Sequence, residues 1–251
     1  MTGIGDNLVT AASLEKRLTE FHLSGMKRTL PNRLKQAGGS DMAYTEFLAL
    51  LLEDEANQRA DNKRKKLAHG ARLPFEKGIE DFDFTFQPSI NKKEIMELAT
   101  GNYLLTKRNI LLIGQPGTGK THLAVALGLN ALGMGKTILF TTLWDMLATL
   151  HQSRADLSYH KKLQQYIKPD VLILDELGYR SIQGSTIEDF FEIISRRYEK
   201  GSTIITSNKS VNEWDKVFID KTLTTAILDR LLHHCHHIEI TGDSYRIKGK
   251  K

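Results

Sequence analysis

Gly114-Gln115-Pro116-Gly117-Thr118-Gly119-Lys120-Thr121 fits the pattern GxxxxGK[ST]; it follows the apolar run Asn109 to Ile113 and leads into the helix-forming stretch His122 to Leu132. A strand feeding a glycine loop and then a helix N-terminus makes a phosphate cradle, because backbone N–H groups converge on an anion and the helix dipole favours negative charge there. Lys120 is placed to reach the β- and γ-phosphates, and the Thr121 hydroxyl to complete a Mg²⁺ shell. Glycine is needed where the backbone turns with positive φ and comes so close to the phosphates that a Cβ would collide. These eight residues therefore predict a nucleoside triphosphate site.

A second landmark lies downstream, where Val171-Leu172-Ile173-Leu174 delivers two adjacent carboxylates, Asp175 and Glu176, at the end of an apolar strand. Asp175 is suited to hold the Mg²⁺ of the nucleotide, and Glu176 to polarise a water molecule for in-line attack on the γ-phosphorus. A third strand, Thr203 to Ser207, ends in Asn208, a candidate to stand between the phosphoryl group and the attacking water; its competing role is an N-cap for a helix starting near Val211. Asn208-Lys209 would also open a guanine-reading NKxD motif, but Val211 occupies the position of the required acid, so adenine is the better fit.

Around these landmarks strand and helix patterns alternate, which predicts an α/β fold with a five-stranded parallel sheet flanked by helices. The strands are expected at Asn109–Gly114, Lys136–Thr141, Val171–Asp175, Thr203–Ser207 and His237–Thr241, with helices at Lys120–Leu132, Leu143–His151, Thr186–Glu199 and Leu223–His234. Chemistry in such sheets collects at the carboxyl ends of the strands. The pattern changes near residue 73, which divides the chain into a small all-α N-terminal domain, 1–72, and an α/β domain, 73–251. In the first, Leu14, Leu18, Phe21, Leu23 and Met26, then Phe47, Leu48, Leu50, Leu51 and Leu52, recur at helical spacings, with breaks expected at Pro31 and Gly38-Gly39. Its last helix ends in Lys63, Arg64, Lys65 and Lys66, either a surface for DNA phosphates or a solvated helix end that complements the dipole. Residues 73–89 lack a period and read as a connector packed on the α/β domain.

A chain of 251 residues with 40% apolar side chains can bury a sizeable core, and its net charge of +5 permits nucleic-acid contact without requiring it. A single cysteine, Cys235, excludes an intrachain disulfide, fits a reducing compartment and reads as a small buried apolar group. No stretch approaches the roughly 20 apolar residues that cross a bilayer, and the start lacks the features of a signal peptide, so a cytoplasmic protein without membrane contact is expected. His233-His234-Cys235-His236-His237 does not read as a structural zinc site, because neighbours at a helix-to-strand junction diverge.

The order of phosphate loop, Asp-Glu strand, polar-ended strand and Arg230 in a helix before the last strand resembles the AAA+ ATPases, more narrowly the DnaC and IstB group. Likeness to the IstB proteins, ATP-dependent helpers of insertion-sequence transposases, extends over nearly the whole chain. It is carried by Leu23-Ser24-Gly25-Met26-Lys27, Ala71-Arg72-Leu73-Pro74, Ile79 to Phe84, Asn109 to Leu129, Leu174 to Tyr179 and Asp229 to His234. The resemblance implies an ATPase that uses ATP and Mg²⁺, oligomerises on duplex DNA with composite ATP sites, and recruits or stimulates a transposase. It also implies that Arg230 reaches a neighbouring subunit's nucleotide as an arginine finger. Only Gly242 to Lys251 follow the last strand, too few for a separate helical lid; Arg246, in Ser244-Tyr245-Arg246, resembles the tail of DnaC-like loaders and is a candidate nucleotide contact. Arg196 and Arg197 end a helix and are expected to make surface salt bridges, while Arg154, Lys161 and Lys162 form a second candidate DNA surface. The alternatives are a DnaC-like replicative helicase loader and a nucleotide-switched scaffold with little turnover.

Overall fold

The computed structural model describes residues 11–248, and the chain divides into two compact units between residues 66 and 67. Three helices build the first: α1 (Ala11–Glu20), α2 (Ser24–Gly38) and α3 (Tyr44–Ala71), the last continuing past the division. Met26, Leu30 and Leu51 form a small core with Leu14, Leu18, Leu23 and Phe47, as the helical spacing predicts. Leu48 and Leu52, from the same apolar run, are exposed instead. On the helix wheel they lie about 60° and about 100° from Leu51, on the same side.

Pro31 does not break α2, contrary to expectation. Proline costs an interior helix one hydrogen bond, and buried Met26 and Leu30 just before it anchor the helix in the core. The N-terminus of α2 is also held from outside. Leu23 at the N-cap offers no side-chain acceptor, so Glu55 of α3 accepts from the Gly25 and Met26 N–H groups at 2.7 and 3.3 Å. Burial pushes the Glu55 carboxyl up, but the hydrogen bonds from Arg59, Gly25 and Met26 outweigh it and hold the pKa below the usual value. A Cβ at Gly25 would lie 2.7 Å from the Asp54 carbonyl oxygen, so only glycine permits this approach of α2 to α3.

The second unit runs α4 (Lys92–Ala99), α5 (Asn102–Leu105), β1 (Asn109–Gly114), α6 (Lys120–Gly133), β2 (Ile138–Thr142), α7 (Leu143–Gln152) and α8 (Tyr159–Ile167). It continues with β3 (Val171–Leu177), α9 (Ser185–Arg197), β4 (Ser202–Ser207), α10 (Trp214–Val217), α11 (Lys221–Leu232), β5 (Cys235–Ile240) and α12 (Tyr245–Lys248). All five strands are parallel, in the order β2-β3-β4-β1-β5. Side chains alternate between two cores: Leu111, Ile113, Leu172 and Leu174 pack with α7, α8, α9 and α11, whereas Ile110, Leu112, Val171 and Ile173 pack with α4 and α6. Burial on both faces is why these strands read as continuous apolar runs. β2 and β5 are displaced by one or two residues from their expected positions, as are the bounds of α9 and α11.

Arg197 overturns its expected surface role. It is 2% exposed, and its guanidinium donates to the carbonyls of Tyr166, Ile167, Pro169 and Ser202 and to Thr203 Oγ1. It thereby joins the end of α8 to the start of β4. Burial lowers its pKa to about 10, so it stays a cation at neutral pH. Arg196 does make the surface pair, 2.6 Å from Glu192.

Within the first unit, Arg33 grips Asp54 through Nε and Nη2, both at 2.9 Å. Hydrogen bonds from Arg33 and then Thr29 hold the Asp54 pKa at about 2. A carboxylate whose folded-state pKa is depressed stabilises the fold above its unfolded value, near 4, and loses that contribution as pH falls toward the folded value. Denaturant titrations of wild type and Asp54→Asn are therefore expected to differ at pH 6 and to converge as pH drops from about 4 to about 2. A difference constant over that range contradicts the assignment.

Candidate nucleotide-binding site

A cleft of about 500 Å³ opens at the carboxyl ends of β1, β3 and β4. The loop between β1 and α6 forms its floor. Gly117 and Gly119 have φ of +83° and +96°, the left-handed region that favours glycine, and a Cβ at Gly119 would lie 2.5 Å from the Phe82 ring. Lys120, the first residue of α6, is 8% exposed, and its Nζ donates to the carbonyls of Gly114 and Gln115, each at 2.8 Å. Burial lowers the Lys120 pKa, countered in part by the Asp175 charge.

Asp175 is the hub of a hydroxyl network. Thr121 Oγ1 donates to its two oxygens at 3.0 and 3.1 Å, and Thr206 Oγ1 makes a short hydrogen bond to Oδ1. The same Thr206 oxygen accepts from the Glu176 N–H at 3.1 Å. Glu176 sits at φ +65° where the pairing of β3 with β4 shifts register between Leu174 and Leu177, and its side chain is exposed. A non-glycine residue in that region costs on the order of 1–3 kcal/mol and persists only where its surroundings impose it. Here the imposition comes from the Thr206 bond on one side and from Gly178, at φ +107°, on the other.

Asn208 lines the cleft, and its Oδ1 is buried without a protein partner. Ser210, not Asn208, caps the following 3₁₀ turn, through a capping box with Glu213. The cleft thus gathers Pro116 to Thr121, Asp175, Glu176, Asn208 and Arg246 from residues far apart in the chain. Arg230 is not among its lining residues. It lies in the last turn of α11, with Nη1 donating to the Ala226 carbonyl at 2.8 Å and the guanidinium 5.1 Å from the Phe191 ring centre. Lys63, Arg64, Lys65 and Lys66 are exposed on α3, and Arg64 lies 3.9 Å from Asp61. Successive helical residues turn by 100°, so of the four only Lys63 and Lys66 share a face. Arg154, its side chain 39% exposed, is bound to the buried Asp189 at 2.9 and 2.7 Å.

Two further walls close the cleft, and of these the sequence placed only Arg246 beside the nucleotide. One is the connector: Phe75 and Phe82 line it, their rings edge-on to His122, whose Nε2 lies 2.9 Å from the Gly78 carbonyl oxygen. The aromatic residues of the connector were visible, but without a period nothing tied them to the phosphate loop. The other wall is the segment after β5. Tyr245 N–H donates to the Gly117 carbonyl at 3.0 Å, Gln87 Nε2 to the Asp243 carbonyl at 2.8 Å, and Thr241 N–H to Ser89 Oγ at 3.1 Å. These bonds strap the tail and the connector to the loop and bring Arg246 to the cleft.

A family model described as IstB-like ATP binding protein matches residues 16–251. The insertion sequence IS21 ATP-binding protein of Pseudomonas aeruginosa is 42% identical over 238 residues, covering 95% of this chain and 90% of that protein. The insertion sequence IS5376 ATP-binding protein of Geobacillus stearothermophilus is 38% identical over 242 residues, covering 95% and 96%. Among solved structures, AMPPCP-bound DnaA from Aquifex aeolicus superposes with a TM-score of 0.56 at 24% identity, covering 71% of this chain and 56% of that one, a likeness of fold.

Thr206 is the residue of this network that no motif flags. Thr206→Val keeps the shape of the side chain and removes both of its hydrogen bonds, so Asp175 and the Glu176 backbone lose a common anchor. The expected outcome is nucleotide affinity within about threefold of wild type and turnover lowered about tenfold or more, with recovery in Thr206→Ser. Equal kcat in Thr206→Val and wild type contradicts the anchoring role.

Proposed function

The chain belongs to the family of IstB-like ATP-binding proteins, and from that membership we propose that it is an AAA+ ATPase that oligomerises on duplex DNA and helps a transposase engage its target. The observation that carries the ATPase reading is the meeting of Lys120, Thr121, Asp175 and an exposed Glu176 in one cleft at the carboxyl ends of a parallel sheet. The γ-phosphate of ATP draws Lys120 from the loop carbonyls, and Glu176 takes the proton of a water molecule attacking in line. Asn208 Oδ1, buried and unpartnered, is suited to hold that water. Thr121 and Asp175, 3.0 Å apart, offer the hard oxygen donors that Mg²⁺ prefers. Mg²⁺, when bound, neutralises charge on the β- and γ-phosphates. Arg246 and the phenylalanines of the connector complete the enclosure of the nucleotide.

The position of Arg230 outside the cleft of its own chain supports a role in a neighbour's site and, with it, composite ATP sites in an oligomer. For DNA, the exposed Lys63 and Lys66 face of α3 is the first candidate, acting on phosphates and reading no bases. The transposase as partner follows from the family and from relatives named for insertion sequences. The family match begins at residue 16 and so takes in the helical unit, which favours this reading over a helicase loader. Among the described residues no helix is long and apolar enough to cross a membrane.

Glu176→Gln is expected to bind ATP normally, to hydrolyse it about 10²–10⁴ times more slowly and to remain trapped on DNA, measured by phosphate release and DNA retention. Loss of ATP binding contradicts the role given to Glu176; an unchanged cycle of assembly and release favours a scaffold without turnover. Mixing tests Arg230. A Lys120→Ala subunit lacks its own phosphate site but can lend Arg230, and an Arg230→Ala subunit has the opposite defect, so mixtures are expected to regain ATPase activity that neither variant has alone. Co-assembly without any recovery contradicts action in trans.

A further inference from the structure

The run of histidines at the α11–β5 junction does not simply diverge. His236 and His237 enter β5, but His233 and His234 stay at the end of α11, where Glu199, just beyond α9, faces them. One ligand atom from each of Glu199, His233 and His234 lies within 4.8 Å of the other two. The Glu199 Oε1 and His234 Nε2 atoms are 3.8 Å apart, and the two imidazole ring centres 4.0 Å. Around an ion with ligand bonds of about 2.0–2.1 Å, tetrahedral ligand atoms stand about 3.3 Å apart, so small side-chain rotations close this set.

The surroundings hold the ligands in place. The Tyr198 hydroxyl lies 2.6 Å from His233 Nδ1 and the two rings stack, which fixes the imidazole from one side as outer-shell partners of metal-bound histidines do. Glu199 is set by a left-handed φ of +57°, directly before a turn in which the Lys200 and Gly201 N–H groups both donate to the Arg197 carbonyl. Glu199 and His234 keep side-chain exposures of 59% and 42%, so an ion can enter and complete its shell with water. Lys107 and Arg230 border the same depression and oppose a cation, which weakens its binding.

We propose that Glu199, His233 and His234 form a site for a borderline divalent transition-metal ion, Zn²⁺ being the probe of choice, that clamps the end of α9 to the end of α11. Two imidazoles and one carboxylate match such an ion and are a poor match for Mg²⁺, which prefers an all-oxygen shell. The site lies at the amino ends of the strands, remote from the nucleotide cleft, where β5 begins beside β1. Its occupant would fix the last turn of α11, which carries Arg230. The binding itself does not depend on the ATPase reading.

Isothermal titration of the untagged full chain with ZnCl₂, without nucleotide, is expected to show one ion per chain. Affinity is expected to fall at least tenfold in Glu199→Gln and in His234→Asn and to be unchanged in His160→Asn, a histidine exposed elsewhere on the unit. Co²⁺ is expected to give visible d–d bands that the same two variants abolish. Because Glu199 is exposed, Glu199→Gln retains the fold, which circular dichroism checks. Absence of binding up to 1 mM Zn²⁺, or binding of equal strength in wild type, Glu199→Gln and His234→Asn, overturns the site.

Discussion

The Asp175 carboxylate, 6% exposed at the end of β3, cannot sit in the sheet without hydrogen-bond donors, and the answer to that need organises the second unit. Its donors come from two other elements: Thr121 from the first turn of α6 and Thr206 from β4. One buried charge therefore fixes the phosphate loop against β3, ties β3 to β4 where their register shifts, and passes through Thr206 to the backbone of Glu176. Lys120 solves the same problem for a cation. Its Nζ donates to the carbonyls of Gly114 and Gln115 in its own loop.

The parallel sheet was legible because burial on both faces leaves a continuous apolar signature, and the phosphate loop because glycine, lysine and threonine at fixed spacing have few other uses. Asp175 and Glu176 were legible as charges ending such a run. What escaped had its cause outside the local sequence. Thr206 is one β-branched residue in a strand of several, and only its neighbours across the sheet give it a task. Arg197 looks like any arginine ending a helix, yet carbonyls around the start of β4 draw it inside. The cap of α2 comes from Glu55, on another helix, and Pro31 survives because packing outweighs one missing hydrogen bond.

The two walls contributed by the connector and the tail share a physical logic. Neither has a repeating pattern; two bonds between side chain and backbone, Gln87 to Asp243 and Thr241 to Ser89, and one backbone bond, Tyr245 to Gly117, join them to each other and to the phosphate loop. The floor of the cleft is built on β1, β3 and β4, and Arg246 lines it from the segment after β5.

The central claim is that a nucleotide draws Lys120 and Thr121 from the Gly114, Gln115 and Asp175 oxygens they bond, while Asp175 keeps its anchor on Thr206. A crystal structure of the chain with Mg²⁺ and a non-hydrolysable ATP analogue tests it most directly. The account predicts Lys120 Nζ on the β- and γ-phosphates, released from the Gly114 and Gln115 carbonyls, the Thr121 hydroxyl turned to the metal, and Thr206 still bonded to Asp175. An analogue bound with Lys120 still on those carbonyls, or phosphates seated away from the Gly117–Thr121 loop, would contradict it.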